Sequence, residues 1–383
     1  MNNVPEKYYY IYMDTKISGA IEQLVRYFQA QVFTQKACIC VLCKYYIDIE
    51  KSFSKKFTEN NITFKFIKKH SDIKLENNKT VFYLFNAQSN CRLVANRNLT
   101  HIFVTHGESH KLASIKPIVR IYDYVVTSGQ VGIDRYLKSG IFSKYDIQNG
   151  KVITLGNTFV GSNKYFYDEH STALVYAPTW EGGVPDEDYC SVCVANTKKI
   201  IEFCHLYKIS TVYVQSHPNL GHRIKSKKND LLIMMNMLDI AGLKSYLIGA
   251  SPAKRIVDLF SKRKNNVELP ERLSVQYALT DISAMEVQFL YKGIPCSLFT
   301  DKVKVRNLAI PKVLIEHYKD RFIYSDSESI IKCPPMNKEY YSYFFSYPSE
   351  LDKSMSFNER VTWLCKHTEK ERAFINRKLF DCF

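Results

Sequence analysis

Two histidines in this sequence stand where an imidazole could move a proton. His106 and Gly107 follow a β-like apolar run over 102–105, with Glu108, Ser109, His110 and Lys111 next. A histidine on a tight turn beside a glycine is open to close approach, and its near-neutral pKa suits a general base. His217 and Pro218 follow another β-like run over 211–215, with His222 and Arg223 close behind. Both histidines also fit ordinary turns bonded to nearby backbone. A third segment, Thr280, Asp281, Ile282, Ser283 and Ala284, precedes an apolar helical run. Thr, Asp and Ser are helix-capping types, and the same geometry aims backbone N–H groups and the helix dipole at an anion such as a phosphate. In open α/β sheets ligands bind beyond the carboxyl ends of the strands, where all three segments are expected.

Other chemistries find less support. Cys190 and Cys193 make one C-x-x-C pair with no matching second pair, and Cys38, Cys40 and Cys43 lie in an apolar run, so a zinc site is not expected. No P-loop, dinucleotide-binding glycine pattern or Gly-x-Ser-x-Gly elbow occurs. No metal-binding acidic motif is evident, so the sequence names no cofactor and leaves dependence on a divalent cation open. Arg223, Lys225, Lys227 and Lys228 form a basic cluster. Such a cluster reads equally as a solvated loop or as a grip on an anionic polymer.

The elements that must position these residues show in the hydrophobic periodicity. Ile21, Leu24, Val25 and Phe28 recur at the spacing of one buried helix face. Short apolar runs at 8–13, 37–43, 62–67, 81–84, 102–105, 122–127 and 152–155 predict strands separated by helix-length stretches. A second alternation follows at 172–176, 200–207, 211–215, 275–279, 283–292 and 295–299. This pattern predicts parallel strands with crossovers. The 383 residues favour two domains. We expect one over 1–160, one over 161–350, and a helical tail over 351–383. Polar stretches at 161–164 and 168–171 mark the expected linker.

The balance of 53 Lys and Arg against 38 Asp and Glu gives a formal charge of +15. A surplus of that size favours a polyanionic partner: nucleic acid, an anionic membrane face or a phosphate-rich polymer. No apolar run is long enough for a membrane span, and the opening residues lack a signal peptide's pattern. An odd count of 11 cysteines fits reduced core thiols better than disulfides. The expectation is a cytoplasmic protein able to sit on the inner face of the cell membrane.

Taken in order, these segments resemble the CDP-glycerol glycerophosphotransferase family, the teichoic acid polymerases and their capsule-synthesis relatives. The resemblance rests on His106-Gly107, Tyr176-Ala177-Pro178-Thr179-Trp180, His217-Pro218, Thr280-Asp281-Ile282-Ser283 and Lys292-Gly293-Ile294-Pro295, and covers about residues 100–300. Glu108-Ser109 stand where the family often has Thr-Pro. The resemblance implies a GT-B-type α/β fold of two Rossmann-like domains with the active site between them, the first domain on the acceptor side and the second holding the donor. It implies transfer of glycerol phosphate or ribitol phosphate from a CDP-alditol donor to a hydroxyl of a polymer or lipid-linked acceptor, with release of CMP. By that resemblance His106 is the base, His217 stabilises phosphate charge, and Thr179, Thr280, Asp281, Ser283 and Ala284 hold the donor. Arg223, Lys225, Lys227 and Lys228 are the expected acceptor contacts. The alternative is a sugar-transferring GT-B enzyme using a nucleotide sugar, which shares the fold, the cleft and the phosphate-binding helix. A non-catalytic polyanion-binding protein would explain the charge alone, although no nucleic-acid-binding motif is present and nucleic acid is not the expected partner.

Overall fold

The computed structural model of the chain describes residues 7–104, 108–248, 269–327, 330–335 and 337–381. The chain divides into two compact units. The first comprises Met1–Gly107, Lys116–Ser162 and Tyr343–Phe383, and the second Glu108–Ile115 and Asn163–Ser342.

Among the described residues, seven strands build the first unit: β1 (Tyr9–Met13), β2 (Cys38–Lys44), β3 (Phe64–Ile67), β4 (Thr80–Tyr83), β5 (Thr100–Phe103), β6 (Tyr124–Thr127) and β7 (Val152–Thr154). They lie in the order β3-β2-β1-β4-β5-β6-β7, with every neighbouring pair parallel. All residues of β1, β4 and β5 are buried, as a parallel sheet covered on both faces requires. The helix Ser18–Gln29 turns Ile21, Leu24, Val25 and Phe28 into that core, as its spacing predicts. Phe33 sits at the centre of an aromatic cluster with Tyr9, Tyr27, Phe82 and Phe159.

The C-terminal helix Phe357–Asp381 adds Val361, Leu364 and Cys365 to the same core, so the tail packs on the first unit. The chain approaching that helix is fitted closely to the turn after β7. Gly156 has φ +56°, and a Cβ there would come within 1.9 Å of the Tyr347 ring, so only glycine suits the position.

The second unit holds β8 (Tyr165–Tyr167), β9 (Ala173–Ala177), β10 (Thr211–Gln215), β11 (Lys244–Ile248), β12 (Leu273–Val275), β13 (Tyr277–Asp281), β14 (Cys296–Thr300) and β15 (Phe322–Tyr324). Six of them form a parallel sheet in the order β11-β10-β9-β13-β14-β15, and β8 pairs with β12 apart from it. The chain therefore winds outward from β9 in one direction and returns to build β13, β14 and β15 on the other side. That reversal between β9 and β13 is a topological switch point, the place where open α/β sheets leave a crevice for ligands.

The α/β class, with two Rossmann-like units and a terminal helix, is the one expected. Some local expectations are corrected. Residues 165–167, between the two polar stretches of the expected linker, form β8, because Tyr165 is apolar enough to bury and its backbone pairs with Leu273. The run at 275–279 divides into the end of β12 and the start of β13. Thr280 and Asp281 consequently lie inside a strand, and only Ser283 is an N-cap. Its Oγ accepts the Met285 N–H at 3.3 Å and opens the helix Ala284–Tyr291.

Candidate functional site

The sheet of the second unit brings the chemistry-bearing segments to one end. The residues after β9, those after β10 and the end of β13 are neighbours, because these three strands are adjacent and parallel. Thr179, His217 and Asp281 all lie at this carboxyl edge.

Asp281 is the anchor of the arrangement. Its carboxylate is fully buried and accepts the backbone N–H of Thr179 at 2.7 Å and of Ser191 at 3.3 Å. The Ser191 hydroxyl also donates to it, and the Tyr176 hydroxyl lies 2.5 Å from Ser191 Oγ. Burial pushes the Asp281 carboxyl up to about 7, against the opposing bonds from Ser191 and Thr179. Thr280 donates its hydroxyl to the Ala177 carbonyl at 2.6 Å and lies 3.2 Å from Ser283 Oγ. Both side chains are thus occupied in joining β13 to β9, a positioning role for residues expected to touch the donor. Ser283 and Ala284 begin the helix beside them, where the first-turn backbone N–H groups lack intrahelical i−4 partners.

One cation at this edge was missed by sequence reasoning. Lys111 Nζ donates to Thr179 Oγ1 at 2.9 Å and lies 5.5 Å from the centre of the Tyr189 ring. Burial pulls its pKa down to about 8, opposed by the attraction of Asp281 and Glu187. The signal was weak: Lys111 closes the segment that begins at His106, but its partner Thr179 is 68 residues away. His106 itself lies outside the described residues.

His217 is half-buried, stacked on the Trp180 ring with centroids 5.8 Å apart and planes 17° from parallel. Its Nδ1 accepts the Asn219 N–H at 3.1 Å. In the neutral ring the proton therefore sits on Nε2, which becomes a hydrogen-bond donor.

The loop after His217 is held by Glu181, whose buried carboxylate accepts the backbone N–H groups of Arg223 at 2.7 Å, Ile224 at 2.9 Å and Gly221 at 3.0 Å. Burial raises the Glu181 pKa, but the N–H bonds from Ile224, Gly221 and Arg223 outweigh it and hold the group below its ordinary value. The expected acceptor cluster separates here. Arg223 donates to the carbonyls of Glu181 and Gly182 and to Asp188 at 2.8 Å. Lys227 donates to the Val192 carbonyl at 2.8 Å and pairs with Asp230 at 3.4 Å. Lys225 is exposed and Lys228 half-buried, and neither has a carboxylate partner among the described residues.

Among the described residues no three His, Cys, Asp or Glu side chains gather as a metal site would need. Cys193 caps the helix Val194–Leu206 with its sulfur, and burial raises the Cys38 and Cys43 thiols. Among the same residues no helix is long and apolar enough to cross a membrane.

No family model matches the chain, and no curated protein matches it. Solved structures do. The wall teichoic acid polymerase TagF, in a structure soaked with CDPG, is 12% identical over 95% of this chain and 89% of that one, with a TM-score of 0.46. An S. aureus MnaA–UDP co-structure is 11% identical over 76% of this chain and 78% of that one, with a TM-score of 0.42. Acinetobacter baumannii MurG is 10% identical over 97% of this chain and 95% of that one, with a TM-score of 0.41. At such identities and TM-scores the likeness concerns the course of the backbone and decides nothing about chemistry.

Proposed function

We propose that this chain is a transferase that moves an alditol phosphate, glycerol phosphate or ribitol phosphate, from a CDP-alditol to a hydroxyl of an anionic polymer or its primer, releasing CMP. One observation carries the reading. The segments Tyr176-Ala177-Pro178-Thr179-Trp180, His217-Pro218 and Thr280-Asp281-Ile282-Ser283 meet at one sheet edge, joined by the Asp281–Thr179 bond and the Trp180–His217 stack.

In this reading the acceptor oxygen attacks the phosphorus bonded to the alditol. The bond from that phosphorus to the CMP oxygen breaks, CMP leaves as the anion, and the acceptor proton passes to a base. His106 is assigned that base on the strength of the resemblance. His217 donates through Nε2–H to an oxygen of the transferring phosphoryl group, where negative charge must be stabilised. The first-turn N–H groups after Ser283 and the Lys111 ammonium offset the charge of the donor phosphates. Asp281 and Thr280 fix the distance between those two sources of positive potential.

A nucleotide-sugar glycosyltransferase is the second reading. What favours it is the nature of the phosphate-facing groups: amide N–H and ammonium groups are indifferent to what lies beyond a diphosphate. Calorimetric titration with CDP and with UDP separates the two. Preference for CDP supports alditol-phosphate transfer, preference for UDP supports the second reading, and binding of neither leaves only a polyanion-binding protein.

A further inference from the structure

The unpaired lysines of the basic cluster do not point at random. Gly221, His222, Lys225, Ser226, Lys228 and Asn229 line an open pocket of about 610 Å³ in the second unit, a volume suited to a small ligand. Its walls supply ammonium groups, an imidazole, a hydroxyl and an amide, and no carboxylate.

The pocket is held firmly. Glu181 fixes the backbone of Gly221, Arg223 and Ile224. Gly221 has φ +74°, and a Cβ there would come within 2.5 Å of Lys228 Cγ, so the Lys228 stem lies directly against the glycine backbone. Arg223 and Lys227 stay out of the pocket because Glu181, Asp188, Val192 and Asp230 engage them. What remains is a selected pair of cations, Lys225 and Lys228, with His222 lining the same pocket. His222 also packs on the Trp180 ring, 6.3 Å between centroids and 62° between planes, and Trp180 stacks on His217 at its other contact. One indole therefore separates the pocket from the histidine assigned to the transferring phosphate.

We infer that this pocket is a phosphate subsite, taking a phosphodiester of the anionic acceptor chain while the acceptor hydroxyl reaches the site beside His217. The inference rests on the transferase reading for the identity of the polymer. It adds that the acceptor is recognised through its phosphates, by Lys225 and Lys228 rather than by Arg223 and Lys227. Two unpaired ammonium groups beside neutral donors favour a phosphate over a carboxylate-free sugar, since charge-assisted bonds are about twice as strong as neutral ones.

The test is equilibrium binding of the full chain to a synthetic glycerol phosphate hexamer and, separately, to CDP. The variants are Lys225→Ala with Lys228→Ala, and a control pair, Lys198→Ala with Lys244→Ala, removing exposed lysines of the same unit. The pocket variant should weaken hexamer binding about tenfold or more at low salt and less at high salt, with CDP binding unchanged. The control pair should leave both unchanged. Equal loss in the control pair, or unchanged hexamer binding in the pocket variant, would overturn the inference. So would loss of CDP binding in the pocket variant, which would place the donor's phosphates there instead. Failure of the transferase reading shows differently, as absence of CDP binding by the unaltered chain.

Discussion

The carboxylate of Asp281 accepts the backbone N–H of Thr179 at 2.7 Å, and so ties the last residue of β13 to the turn that follows β9. These two strands flank the switch point of the second sheet. The arrangement makes a buried acid a framework residue of the site.

Removing that framework should be costly. Asp281→Ala would leave the buried N–H groups of Thr179 and Ser191 without an acceptor, each worth about 1–3 kcal/mol. We expect urea unfolding to show a loss of roughly 2–5 kcal/mol. A loss below about 0.5 kcal/mol would contradict the role.

Two buried acids set the direction of pH dependence. Burial pushes the Glu286 carboxyl up to about 7, opposed by the bond from the Tyr318 hydroxyl at 2.5 Å, and Asp281 is raised to a similar value. Both hold protons in the folded chain that the unfolded chain releases near pH 4–4.5. Stability from these groups is therefore complete at low pH and falls as pH rises towards 7. Glu286→Gln, which can still accept from Tyr318, should make that fall shallower. Melting temperatures measured between pH 4.5 and 7 check it, and an unchanged slope would count against the assignment.

Arg223 and Lys225, two residues apart, should behave oppositely. Arg223→Ala strips donors from the Glu181 and Gly182 carbonyls and from Asp188, and should cost about 1–3 kcal/mol of stability. Lys225→Ala should stay within about 0.5 kcal/mol of the parent. Denaturant midpoints of the two variants decide it.

His217→Ala should lower turnover by roughly 10²–10⁴ while the protein stays folded. Replacement by Asn restores a donor without the ring, so its partial recovery would mark donation to phosphate rather than proton abstraction. A folded alanine variant with near-full turnover would remove His217 from the mechanism.

Much of this architecture was legible in the sequence, for identifiable reasons. Strands buried on both faces read as plain apolar runs, and the Ile21–Phe28 spacing marked its helix. His217 was legible because a His-Pro turn directly follows such a run. Its tautomer was not, since that depends on the Asn219 N–H. Asp281 was read as a cap because its residue type suits one, and only strand pairing shows it inside β13. Arg223 and Lys227 looked like surface cations for the same local reason. Their partners Asp188 and Val192 lie 35 residues earlier in the chain, beyond any periodicity. Lys111 escaped notice because its contact with Thr179 spans 68 residues.

The central claim is the reaction, and CMP release tests it most directly. Purified chain would be incubated with CDP-glycerol or CDP-ribitol and a glycerol phosphate oligomer, with a UDP-sugar and a CDP-free blank in parallel. We expect CMP to appear from one CDP-alditol in step with lengthening of the oligomer, and nothing to be released from the UDP-sugar. Absence of CMP from both CDP-alditols, with product formed only from the nucleotide sugar, would contradict the account.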